Sequence, residues 1–283
     1  MKQKTDNQFA IDQELFKVYN ALTKHKITLE QSYIEFESLI EQGANIDAIN
    51  QDGTPLLFVV NQVKVLFGDT GIITTQRIIP EVTRFLLSKG ANMDILNAQE
   101  NHILHICAKN RLNNVVEEII DLYVKQNNKL EFVNYKNQTI AHIAAANNDS
   151  ELIGLINKTE TNINIQDVFG NTPLHLAVIH WFKGLLKNNP SYTTPYATIY
   201  KLFENEKIDP TKTNIDGKTA LDIARDYDRK HGNKFQTGEL IERLMQEISI
   251  AAYEEEVIPP AVDEVIPPRA NPCFKGKRMG KVV

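Results

Sequence analysis

The stretch Gly170-Asn171-Thr172-Pro173-Leu174-His175-Leu176-Ala177 decides the fold. Threonine is a good helix N-cap because its hydroxyl can accept an otherwise unsatisfied backbone N–H, and proline suits the first turn, where no N–H partner is needed. Leu174 and Ala177 then face a neighbouring layer, and the small alanine lets another helix approach closely. Gly170 before the motif belongs to the turn that feeds the helix.

Working outward, the phrase recurs as Thr54-Pro55-Leu56-Leu57-Phe58-Val59, Leu104-His105-Ile106-Cys107-Ala108, Thr139-Ile140-Ala141-His142-Ile143-Ala144-Ala145 and Thr219-Ala220-Leu221-Asp222-Ile223-Ala224. Taking Leu56, Leu104, Ala141, Leu174 and Leu221 as register, the spacings are 48, 37, 33 and 47. The two long ones are a unit of about 33 residues with roughly 15 inserted. A second phrase repeats as well: Leu39-Ile40-Glu41-Gln42-Gly43-Ala44-Asn45-Ile46-Asp47 returns as Leu86-Leu87-Ser88-Lys89-Gly90-Ala91-Asn92-Met93-Asp94. It reads as a helix closed by glycine, with Asn and Asp favouring the turn that follows.

These phrases resemble the ankyrin repeat over roughly residues 12–250. The copies at 102–108 and 219–224 are degenerate, and Glu100 and Asn137 stand where Gly53, Gly170 and Gly217 precede the other motifs. The resemblance implies an all-α solenoid of helix-turn-helix repeats with short β-turn fingers, because a single unit cannot bury its apolar face alone and must stack. The expected organisation is an N-terminal helical capping unit at 1–46 and five repeats over 47–250 (about 47–94, 95–131, 132–164, 165–210 and 211–250). Insertions fall near 63–80 and 183–196, and a disordered Pro-rich, charged tail occupies 251–283. In the capping unit Leu15, Val18, Tyr19 and Leu22 share one helical face, and Tyr33, Phe36, Leu39 and Ile40 another. At the far end Leu240, Ile241, Leu244, Met245 and Ile248 make Glu239–Ile250 amphipathic.

The composition is that of an ordinary globular chain, 42% hydrophobic and 24% charged over 283 residues, with a net charge of -5. An acidic balance with scattered Lys and Arg argues against nucleic acid as a partner. Met1–Leu15 holds no apolar core of a signal peptide and no run of 18 apolar residues occurs, so a soluble, cytoplasmic, monomeric chain is expected. Cys107 and Cys273 are too far apart in sequence and context for a disulfide or zinc framework. No zinc-protease helix, phosphate-cradling glycine loop or nucleophile elbow is present. The reading is a non-enzyme with no cofactor and no metal.

His105, His142 and His175 occupy one motif position in successive repeats. In ankyrin proteins that imidazole bonds the backbone of the neighbouring finger, which assigns these histidines a structural role. The resemblance also places a protein partner on the concave face of fingers and first helices. The candidate contact residues there are Gln99, Tyr135, Lys136, Phe169 and Ile215 on fingers, and Lys109, Arg111, Asn147, Trp181 and Arg225 on first helices. Phe169, Trp181 and Tyr135 are the expected anchors, since aromatic side chains dominate interface energetics. Gln51, Val168 and Asn61 belong to the same surface.

After Ile250 come Glu254-Glu255-Glu256, then Val-Ile-Pro-Pro at 257–260 and again at 265–268, then Lys275, Lys277, Arg278 and Lys281. Doubled prolines favour extended chain. An acidic-then-basic terminus after a repeat domain resembles the translocation signals of bacterial effectors, and 27 asparagines fit an AT-rich genome. The functional expectation is a protein-binding module, read as a bacterial effector secreted into a host cell and acting on a host protein. Two alternatives stay open: a scaffold or inhibitor in its own cell, and the targeting domain of a protein-modifying enzyme.

Overall fold

The structure is a computed structural model that describes residues 2–52, 54–61, 71–125, 130–186, 196–232 and 236–257. Among them are α1 (Lys2–Thr23), α2 (Leu29–Glu41), α3 (Leu56–Asn61), α4 (Gly71–Ser88), α5 (Ile103–Lys109) and α6 (Asn113–Lys125), then α7 (Ile140–Ala146), α8 (Ser150–Asn157), α9 (Pro173–Leu186), α10 (Ala197–Phe203), α11 (Ala220–Lys230) and α12 (Thr237–Val257). No strand occurs among the described residues, and an isolated bridge joins Ile49 to Pro55. The described residues up to 245 form one compact unit, and 246–257 belong to a second.

Within the first unit the helices pair into two rows. One row runs α1, α3, α5, α7, α9, α11, each against the next; α4, α6 and α8 make the other, and α10 packs on α8. α5 and α7 are two turns long, too short to persist alone in water. Their stability is therefore borrowed from neighbours. Leu56, Leu104, Ala141 and Leu174 are all buried at these contacts, which is the all-α repeat stack that the register residues imply.

The fingers between repeats are closed by one device used five times. Asn50 Oδ1 accepts the N–H groups of Asp52 and Thr54. Asn97 does the same for Gln99 and Asn101, Asn134 for Lys136 and Gln138, Asp167 for Phe169 and Asn171, and Asn214 for Asp216 and Lys218. An Asn or Asp side chain folding back on the backbone two residues on mimics a backbone turn. With the turn held this way, Glu100 and Asn137 take the same left-handed φ (56° and 55°) as Gly170 and Gly217 (70° and 69°). The motif glycine is replaceable because the side chain three residues before it fixes the turn.

The histidine expectation is met in each copy. His105 Nε2 donates to the Gln138 carbonyl at 2.8 Å, His142 to Asn171 at 3.0 Å and His175 to Lys218 at 3.0 Å. Each Nδ1 accepts a backbone N–H at its own helix start, from His102, Thr139 and Thr172, which places the proton on Nε2. In the last copy Asp222 replaces histidine. It keeps the capping role, accepting Thr219 N–H while its own N–H bonds the Thr219 hydroxyl.

Several sequence boundaries shift. Residues 71–80, read as part of an insertion, are helical: α4 passes through Pro80, which removes a single N–H donor from the ladder. Residues 62–70 and 187–195, the rest of both insertions, lie outside the described residues. The second insertion begins by lengthening α9 to 14 residues against 7 in α5 and α7. α12 continues to Val257, so residues 251–257, read as the start of the tail, are helix. The disordered-tail reading of 258–283 falls outside the described residues. Leu15, Val18, Tyr19 and Leu22 of α1, Phe36 of α2, and Leu240, Ile241 and Leu244 of α12 are buried.

Candidate functional site

Fingers and first helices leave a groove of about 800 Å3 between the second and third repeats. Its walls are built by the turn chemistry described above. The Tyr135 N–H donates to the Gln99 carbonyl at 3.3 Å, and the Val168 N–H to Lys136 at 3.0 Å, so neighbouring fingers stand in line. Helix ends fix the other wall: Asn110 Nδ2 donates to the Asn61 carbonyl at 2.8 Å and Asn147 Nδ2 to Ala108 at 3.1 Å. Five sequence-derived candidates meet here, Gln99, Lys109, Tyr135, Lys136 and Asn147. Tyr135 is exposed, with Lys136 Nζ 5.4 Å from its ring centroid.

A second groove of about 390 Å3 lies between the last two fingers, and Phe169 and Ile215 line it. Both are exposed, at 54% and 70%, beside Val168 at 53%. Exposed apolar residues scattered singly are ordinary; here they recur on successive finger tips.

Trp181, Arg111, Arg225 and Asn61 are not brought to these grooves. Trp181 is 2% exposed, packed on Phe182 and Tyr196 with ring centroids 4.7 and 4.8 Å away. The physical reason is the longer α9. The residue six after the repeated histidine is Arg111 in the turn that follows α5, but in α9 it is still helical and is carried into the core. Arg111 is exposed, but its guanidinium bonds the Asn147 carbonyl of the next repeat. Arg225 is ion-paired with Glu242 of α12. Asn61 is fully buried, its amide shared between the Leu57 carbonyl, Thr83 and Cys107.

Residues that the sequence reading missed are Ile106 and Ile143 in the first groove and Ile179, Lys183, Tyr227 and Lys230 in the second. Helical spacing from the repeated histidine was the available signal: positions one and four after it turn toward the groove, as Ile106 with Lys109 and Ile143 with Ala146 show.

Burial favours the neutral form of the motif histidines and of Cys107. Burial lowers His105 and His175 and takes His142 down to about 4, against weaker opposing help from its bond to Asn171. His102, at the threonine position of its motif, is lowered to about 3, again by burial. It stacks on Phe132 at 3.9 Å, and its Nε2 lies 2.9 Å from the Tyr123 hydroxyl, which donates to Asp94. Burial also pushes the Cys107 thiol well up, which removes it as a nucleophile at neutral pH. Among the described residues no group of three or more His, Cys, Asp or Glu is placed to hold a metal ion, and no helix is long and apolar enough to cross a membrane.

Residues 104–196 match the family model of ankyrin repeats (3 copies). Those residues are ankyrin repeats, and they lie within an all-α stack of helices. Such repeats are protein–protein interaction modules. No curated protein matches the chain.

Proposed function

We propose that this protein binds a partner protein along the groove face of its finger tips and first helices, and does so without catalysis. The reading is carried by one observation: Tyr135, Val168, Phe169 and Ile215 present exposed apolar side chains on three consecutive fingers joined by backbone hydrogen bonds. Rigid aromatic anchors beside a groove are where interface energy concentrates. Affinity capture with the full chain, beside a Tyr135→Ala, Phe169→Ala, Ile215→Ala variant that retains its circular dichroism, tests it. Loss of a captured protein in the variant is expected. Equal capture by both would move the site off this face.

The finer reading is a bacterial effector acting on a host protein, supported by the acidic, doubled-proline, then basic order of residues 254–283. Asparagine abundance no longer supports it, because Asn50, Asn97, Asn134 and Asn214 have a turn to close. Deleting residues 258–283 leaves α12 whole. It should abolish delivery of a fused reporter from a secretion-competent bacterium; undiminished delivery would refute this reading.

A further inference from the structure

We infer that the central groove selects an acidic, extended segment of its partner. The inference rests on the protein-binding reading above and specifies the partner's chemistry. The chain is net acidic, at -5, yet among the described residues no carboxylate lines the groove between the second and third repeats, whereas Lys109 and Lys136 do. The asymmetry covers four consecutive first helices: α3, α5, α7 and α9 contain no Asp or Glu, and α5 and α9 add Lys109 and Lys183, whereas α11 at the end of the row carries Asp222, Asp226 and Asp228. Many acidic side chains sit on the helices behind, with Glu30, Glu35, Glu37 and Glu41 on α2 and Glu117, Glu118 and Asp121 on α6, while Glu100 lies on the finger between Gln99 and Asn101 without lining the groove. The second groove is mixed: Asp226 is tied up by Lys218 and Arg229, and Asp216 shares the lining with Lys183 and Lys230, so the acidic preference is assigned to the central groove alone.

A basic segment entering the central groove would meet two ammonium groups and no compensating charge. An acidic one meets complementary potential, which favours encounter and rejects wrong partners. The remaining wall suits an extended backbone, since side-chain amides such as Gln99, Asn110 and Gln138 offer the donor and acceptor pairs that a peptide bond needs. Tyr135 at the rim provides apolar contact for a side chain flanking the acids.

The test is a display selection of random dodecapeptides on the full chain, repeated on a Lys109→Glu, Lys136→Glu variant with an unchanged urea midpoint. A Lys207→Glu control lies outside both grooves. The combined Asp and Glu content of peptides selected by the native protein and by the control should rise about twofold over the input library, and the double reversal should remove that rise. Enriched peptides with acid content at or below the input, or unaffected by the reversal, would overturn the acidic preference while leaving protein binding intact. Enrichment of no peptide at all overturns it too, and the capture experiment then judges the binding reading separately.

Discussion

The Ile215 N–H donates to the Phe169 carbonyl at 3.1 Å, so two exposed apolar side chains on adjacent fingers are held in register by the backbone beneath them. Their side chains contribute contact area and little packing. Phe169→Ala or Ile215→Ala should therefore weaken partner binding by about 2 kcal/mol or more if each is an anchor. The same changes should move stability by no more than about 0.5 kcal/mol, as at other surface positions. Titration with the captured partner and urea unfolding separate the two effects.

Gly170 and Gly217 share the left-handed turn but not its surroundings. A Cβ on Gly170 would stand 2.8 Å from the Ile215 nitrogen and 3.0 Å from Asn214 Cα, while at Gly217 nothing lies within 4 Å. Gly217→Ala should cost the left-handed penalty alone, about 1–2 kcal/mol. Gly170→Ala should cost clearly more, because the clash is with backbone. Paired urea curves giving equal losses would contradict the finger contact.

Glu100 carries the strain that glycine avoids. Glu100→Gly should stabilise by about 0.5–1 kcal/mol. Asn137→Gly should show no such gain, since asparagine tolerates this conformation and its Nδ2 donates to the Gln166 carbonyl at 2.7 Å. Thermal unfolding of the two variants checks the contrast.

Acid should loosen the stack before most carboxylates titrate. The folded pKa of His142 is lowered from 6.5 to about 4 and that of His102 to about 3, with His105 and His175 also lowered. The unfolded chain then binds more protons between these values and 6.5. Stability is fully present above pH 6.5 and falls as pH drops through that window. The slope is on the order of 1.4 kcal/mol per pH unit for each such histidine. Urea unfolding at pH 7 and pH 5 measures it, and His142→Gln should make the slope shallower.

Leu174 is 2% exposed in the best-preserved motif. Leu174→Ala should cost about 2–5 kcal/mol. An unchanged urea midpoint would refute the register.

The solenoid was legible because its signals are local: Thr172-Pro173-Leu174-His175 states a capped helix start, a buried face and a clasp in four residues. The fingertip position of Phe169 followed from Gly170 beside it. What escaped the reading depended on how long each helix runs. Trp181 was placed by analogy with short first helices, and the extra turns of α9 carry it inward. Asn61, read as a surface group, is buried against Thr83; Arg111 and Arg225 are exposed as expected, but their partners, Asn147 and Glu242, are distant in sequence. The finger asparagines were visible only as composition, since an Asx turn has meaning once the five copies are aligned in space.

The histidine clasps all point one way. Each of the second, third and fourth repeats gives its imidazole N–H to the finger that follows it, so the row of clasps has polarity as well as period. The fifth repeat receives at Lys218 and, with Asp222 in place of histidine, offers only an acceptor. A sixth finger placed after it would meet oxygen against oxygen. Lengthening this protein by grafting repeats therefore calls for insertion upstream of Asp222, or for Asp222→His at the graft point, which makes one residue the terminator of a directional assembly.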